Sequence, residues 1–363
     1  MKYFVLIALL VSCLGCSEED VADVVDPHLF KTIDIPKGDV RGLQICVSPD
    51  GRRFASGIDN FRSEMNVWHI SGFLEETFSR RENNLVAFSN PPEPPINGIV
   101  FSPTWDYFAT FQQVTRRNKG LNIWARGWLG GRFDSDDLPD HGVALATFDT
   151  KGKRLAYVDQ SGPRDKTGNT THQVTVLSGQ YFRESVALED AGQTHLKLMA
   201  FDGDRLVARA IHDALIMWDL STGKIIFRNE DWEGESGSDI LMFSPDGKQF
   251  VVIGRSVFGR ENSSGGGGIE IRDSNDGSLV KKTLEYKPLA ISRDWKWFAT
   301  TSESPLPDKN RRVIQIHGME NGEIEFTLTG HTGRIEDMDF SADGSRLVSV
   351  ASDRTFKIWD LTK

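Results

Sequence analysis

Apolar and polar residues alternate in short runs along most of this chain, and no long segment has the 3.6-residue spacing of an amphipathic helix. The runs come in pairs around a turn-like pentad. "FSPDG" stands at Phe243–Gly247, and related pentads begin at Val47, Phe101, Phe148, Phe201, Ile291 and Phe340. The seven starts are separated by 54, 47, 53, 42, 48 and 49 residues, a near-even period with scatter that loops can absorb. Each pentad reads as a tight turn, in which Pro presets one backbone angle and Asp and Gly tolerate the bend.

An apolar stretch leads into each turn and a second follows at once, as in "RFASG", "QFVVI" and "RLVSV". After a variable loop comes a third, with Trp at matching places in four copies: Trp68, Trp124, Trp218 and Trp359. A fourth, as in "GKIIFRN", "SLVKKTL" and "EIEFTLT", precedes most of the next copies. Short strands, even spacing and repeated turns predict an all-β fold with four strands per repeat.

The last copy is the most complete. Gly330-His331, the "FSADG" turn, "SVASDRT" and Trp359-Asp360 resemble a full WD repeat of the WD40 family. Seven diverged copies are then similar to a seven-bladed β-propeller over residues 28–363. The resemblance implies a buried structural tetrad of His331, Ser349, Asp353 and Trp359. A catalytic reading of the same His, Ser and Asp is unnecessary, because the repeat accounts for all of them. The other six copies lack the full set and are expected to rely more on packing.

The final copy ends at its third strand, "FKIWD", which would leave an open sheet edge. The segment "HLFKTIDIPKGD" at His28–Asp39 matches a fourth strand and its following loop but has no repeat of its own. It is expected to pair with the C-terminal edge and close the ring.

The first residues depart from the repeat. "MKYFVLIALLVSCLGCSEED" carries one Lys, an apolar run from Tyr3 to Val11, then small residues and cysteines. The run is too short for a stable bilayer-spanning helix and has the layout of an export signal. It resembles a bacterial lipoprotein signal over residues 1–16, with lipid on Cys16 or, in an alternative register, Cys13. An ordinary cleaved signal is the other reading. Residues 17–27 would form an acidic tether, placing the propeller in a bacterial cell envelope, facing the periplasm or the cell surface and held by that lipid alone. Cys46 remains, in the apolar stretch "LQICVS", and reads as a buried, inert thiol.

The formal net charge of −10 argues against bulk nucleic-acid binding. No metal-ligand spacing, phosphate loop, nucleophile elbow or paired-cysteine motif occurs outside the signal, so neither cofactor nor catalysis is expected. Strand alternation puts the second-to-third and fourth-to-first loops on one face, here termed the top. The long second-to-third loops lean basic, with Arg116 and Arg117, Arg164 and Lys166, Arg255 and Arg260, and Arg311 and Arg312. The family resemblance adds positions near the start of each first strand: Arg41, Asn97, His195, Lys197, Asp239, Glu285, Lys287, Arg334 and Glu336. Together they imply a protein or peptide partner, with acidic character suggested by the basic loops. The competing reading is a propeller enzyme or small-molecule binder, hydrolase-, lactonase- or quinoprotein-like, with a site at the axial mouth.

Overall fold

The computed structural model describes residues 26–35, 44–57, 64–79, 96–112, 121–125, 132–133, 142–159, 173–179, 182–189, 196–210, 214–229, 240–253, 268–283, 288–303 and 311–363. Among these residues every regular element is a strand, and the strands form seven antiparallel four-stranded blades. Blade 1 is Gln44–Val47, Arg53–Gly57, Glu64–His69 and Leu74–Ser79. Blade 2 is Ile96–Phe101, Tyr107–Gln112, Leu121–Ala125 and Arg132–Phe133, and blade 3 is Val143–Phe148, Leu155–Asp159, Gln173–Ser178 and Glu184–Ala187. Blade 4 is Leu196–Asp202, Arg205–Ala210, Leu215–Asp219 and Lys224–Asn229, and blade 5 is Ile240–Phe243, Gln249–Ile253, Ile269–Asp273 and Leu279–Thr283. Blade 6 is Ala290–Ile291, Trp297–Glu303, Arg311–Gly318 and Ile324–Leu328. Blade 7 takes Ile335–Phe340, Arg346–Ala351 and Thr355–Asp360 from the C-terminus and Leu29–Asp34 from the N-terminus. The arrangement is the seven-bladed propeller that the repeat predicts.

Ring closure follows the expectation. The N-terminal strand pairs antiparallel with the last strand, Leu29 opposite Trp359 and Asp34 opposite Thr355. Its buried Ile33 packs with Phe54 and Trp68 of blade 1 and with Val348, Phe356 and Ile358 of blade 7. Leu29 packs on the other side, in the cluster shared by blades 6 and 7. One short strand therefore joins two inter-blade cores, and burying each large apolar side chain stabilises by roughly 1.5–3 kcal/mol.

The pentads have a shared internal lock. Ser48, Ser244, Ser292 and Ser341 each accept the N–H of the residue five positions on, at 2.8–3.0 Å. Each also donates to the Asp two positions on, at 2.6–2.8 Å. The fifth pentad position lies in the left-handed region, where Gly51, Gly152, Gly247 and Gly344 have φ of 61–68°. Blades 2 and 6 place Trp105 and Trp295 there, at φ of 62° and 56°. Such backbone is costly for a bulky residue. The indoles offset it by wedging toward the preceding blade: Trp105 packs with Ala55 and Val67, and Trp295 with Val251, Ile253 and Ile271.

Blade 4 departs from the pattern. "FDGDR" forms a tight hairpin in which Asp202 and Arg205 pair directly, with Gly203 at φ 51°. The two missing residues contribute to the short 42-residue interval before blade 5.

Candidate interaction face

The C-terminal blade holds its top loops with a buried polar network. His331 Nδ1 donates to Asp353 Oδ2 at 2.9 Å, and Ser349 Oγ lies 2.8 Å from His331 Nε2. The Trp359 indole N–H donates to the same Ser349 oxygen at 2.9 Å. A neutral imidazole protonated on Nδ1 satisfies all three contacts, with the Ser349 hydroxyl donating to Nε2. Burial pushes the His331 pKa down, against the opposing pull of Asp353. Burial of Asp353 opposes its ionisation, but His331, Thr355 and the Thr332 amide outweigh it and hold the carboxyl well below the usual range.

This network reaches the surface. Asp353 Oδ2 also accepts the Thr332 amide at 2.7 Å, and Ser352 Oγ accepts the Arg334 amide at 2.8 Å. The intervening Gly333 is required by packing, since a Cβ there would sit 2.3 Å from the Asp353 nitrogen. The loop before the first strand is thus tied to the loop between the second and third strands, and both open on the top face.

Other blades keep part of the network. In blade 1 the Trp68 indole donates to Ser56 at 3.1 Å, and in blade 2 that of Trp124 donates to Thr110 at 3.2 Å. In blade 6 His317 takes the tryptophan position, with Nε2 3.0 Å from Thr300 Oγ1 and Nδ1 3.0 Å from the Gly322 carbonyl. Each of these rings stacks on a second-strand Phe, namely Phe54, Phe108 or Phe298, with planes within 11°. Blade 4 sends the Trp218 N–H to the Glu189 carbonyl instead, at 2.9 Å. These four blades lack the full tetrad, as expected, but each keeps a hydrogen bond at the ring. A hydroxyl two residues beyond the second-strand Phe meets the ring in three of them, accepting the indole N–H in blades 1 and 2 and donating to His317 Nε2 in blade 6, whose Nδ1–H goes to the Gly322 carbonyl.

A second regularity lies at the inner mouth. The first and second strands shift register after Ile96, Val143, Leu196 and Ile335. The extra residue is Asn97, Ala144, Lys197 or Glu336, at the second position of the innermost strand. A bulge re-aims the chain locally and is common beside functional sites. Asn97, Lys197 and Glu336 are among the partner-facing positions suggested by the sequence; Ala144, their equivalent in blade 3, is not.

Charges at this mouth are partly paired. Arg334, 60% exposed, makes a bidentate contact with Glu336, with Nη2 2.7 Å from Oε2 and Nε 3.1 Å from Oε1. Its charge is therefore not freely displayed. Lys197 is exposed on blade 4. Exposed Arg354, held at φ 66° in the blade 7 loop beside Asp353, adds a cation that the sequence reading missed.

The structure corrects the placement of Arg311 and Arg312. They begin the third strand of blade 6 rather than lying in the preceding loop, with Arg311 in register opposite Glu303. Arg41, Arg116, Arg117, His195, Asp239, Glu285 and Lys287 lie outside the described residues, as do Cys13 and Cys16. Cys46 is described: burial, then the nearby Asp339, push its thiol pKa up to about 12, so it is a poor nucleophile at neutral pH. Among the described residues no group of three His, Cys, Asp or Glu side chains is placed to hold a metal ion.

The fold and face define a seven-bladed propeller with a loop-held top surface. Residues 322–360, which span the fourth strand of blade 6 and the three inner strands of blade 7, match the WD40 family, described as WD domain, G-beta repeat. The chain is similar to autophagy-related protein 16 of Arabidopsis thaliana, 34% identical over 100 residues, which are 26% of this chain and 18% of that protein. It is also similar to cilia- and flagella-associated protein 52 of Chlamydomonas reinhardtii, 26% identical over 163 residues, which are 44% of this chain and 23% of that protein. WD repeat-containing protein SL1-17 of Schistosoma mansoni is 25% identical over 161 residues, or 44% of this chain and 48% of that protein. The matched stretches thus span less than half of each of these relatives.

Proposed function

We propose that this protein is a non-enzymatic interaction platform that binds an acidic segment of a partner protein on its top face, held to a bacterial envelope membrane by lipid on Cys16 or Cys13. The observation that carries the reading is the set of bulged inner-strand positions around the mouth, set beside loops locked by His331 and Asp353. A rigid ring with anchored loops suits recognition, because little loop entropy is lost on binding. The cations best placed to meet a carboxylate are Lys197 and Arg354, with Arg334 contributing only if a partner displaces Glu336. The localisation rests on the residue pattern of the first sixteen positions.

Two experiments test the two parts. Affinity capture with the full chain from detergent-solubilised envelope membranes, followed by the Lys197→Glu/Arg354→Glu variant, should yield a partner at low salt that the variant captures at least about tenfold less. Equal capture by the variant removes the acidic-partner reading. Metabolic labelling with a fatty-acid analogue should mark the parent chain and fail on one of Cys16→Ala or Cys13→Ala; normal labelling of both variants removes the lipid anchor.

A further inference from the structure

We propose that Asp337 and Asp339 latch blade 1 to blade 7, so that ring closure depends on a carboxylate clasp at this seam as well as on the N-terminal strand. The innermost strand of a blade presents one unpaired backbone edge. In blade 1 that edge is met by two side chains from the innermost strand of blade 7. Asp337 Oδ2 accepts the Ile45 amide at 2.8 Å, and Asp339 Oδ2 accepts the Val47 amide at 2.7 Å. Ile45 and Val47 are two apart, as are the two aspartates, so both pairs follow the period of the strand.

Among the described residues this pair of carboxylate contacts is formed at one seam. At the position of Asp339 the other blades carry Cys46, Val100, Thr147, Ala200, Met242 and Ala290. At that of Asp337 they carry Gln44, Gly98, Leu145, Leu198, Ile240 and Pro288. No other blade has a carboxylate at either place. The seam is also where blade 7, assembled from both ends of the chain, meets the first blade made of continuous sequence. The charged groups acting on Asp339 fit a clasp held under tension between burial and pairing. Burial pushes its pKa above the ordinary carboxylate range, while Arg293 from the blade 6 turn and the Val47 and Phe340 amides pull it back. Cys46, between the two bonded amides, is kept protonated by the same burial and the same carboxylate.

The test is hydrogen exchange of the full chain, resolved at single amides. In Asp337→Ala the Ile45 amide, and in Asp339→Ala the Val47 amide, should exchange about tenfold faster or more, while amides in the first strands of blades 3 to 5 keep their rates. Asp339→Asn retains an acceptor oxygen and should leave Val47 protected. It also keeps the test open if Asp339→Ala fails to fold. Unchanged exchange at Ile45 and Val47 in the alanine variants, or equal acceleration in all innermost strands, overturns the latch. Loss of Val47 protection in Asp339→Asn overturns the acceptor role assigned to that side chain.

Discussion

In blade 7 the third strand carries Trp359, whose indole ends on Ser349; in blade 5 the aligned position carries Arg272. Arg272 is buried and donates through Nε and Nη2 to Glu270 Oε2 at 3.1 and 2.8 Å, and through Nη1 to the Gly277 carbonyl at 2.8 Å. Lys282 holds the other Glu270 oxygen at 2.9 Å. Both blades must place a large polar side chain between sheets and satisfy its donors. Blade 7 does so with neutral hydrogen bonds, blade 5 with an ion cluster. The difference teaches that a polar side chain at this position must have its donors satisfied but need not be a particular residue; blade 3 avoids the demand with the buried, apolar Leu177.

The largest effect should come from removing what blade 7 alone depends on. Deleting residues 26–35 strips its outer strand and takes Leu29 and Ile33 from two cores; we expect a loss of more than about 4 kcal/mol, a large share of a typical domain's stability, seen as aggregation or an unfolded far-UV spectrum. An unchanged melting temperature would show that the strand does not close the ring.

The ion cluster of blade 5 comes next. Arg272→Leu removes the guanidinium that meets buried Glu270 and should destabilise by about 3 kcal/mol in chemical denaturation. Adding Glu270→Leu should bring stability back to within about 1 kcal/mol of the parent, since an apolar pair of similar size escapes desolvation. A double variant as unstable as the single one would mean that blade 5 needs its charges.

Smaller losses should grade the hydroxyl acceptors. Ser349 serves two buried partners, so Ser349→Ala should cost about 2 kcal/mol, and Ser56→Ala and Thr110→Ala, with one indole each, about 1 kcal/mol. Equal effects at all three sites would remove the special standing of blade 7.

The smallest effect is in pH. The folded His331 pKa is depressed, so the unfolded chain takes up the proton first and stability should fall as pH drops below about 6.5. Asp353, also depressed, adds stability above its ordinary value near 3.9 that is lost as pH falls toward its lower folded value. Asp339 works oppositely: its contribution is greatest below about 3.9 and is lost as pH rises through its raised folded value. His331→Gln should flatten the melting-temperature profile between pH 6.5 and about 5, and an identical slope would place that titration elsewhere.

Much of the fold was legible because turns and strands are local. The Ser–x–Asp–Gly pentads, the second strands and the N-terminal partner of "FKIWD" all announce themselves in short stretches. What escaped is relational. The outer strands Leu74–Ser79 and Glu184–Ala187 mix polar and apolar residues without a clear alternation and carry little apolar signal. The bulges at Asn97 and Lys197 exist only in the pairing of two strands. Arg334 read as a free cation because nothing in a linear sequence states that Glu336, two residues on, would clamp it. The tryptophans in left-handed turns, Trp105 and Trp295, break a local rule and are repaid by contacts with another blade.

The pairing of Leu29–Asp34 with Thr355–Asp360 has a consequence for how the molecule comes into being. His28 and Asp360, joined by a 3.0 Å hydrogen bond, stand 332 positions apart. Few contacts could have a higher contact order, and such contacts slow folding because the chain must search longest to make them. A chain emerging N-terminus first makes Leu29–Asp34 early but has nothing to pair it with until Thr355–Asp360 follows. Emergence of Thr355–Asp360 is therefore built into the topology as the condition for a finished ring.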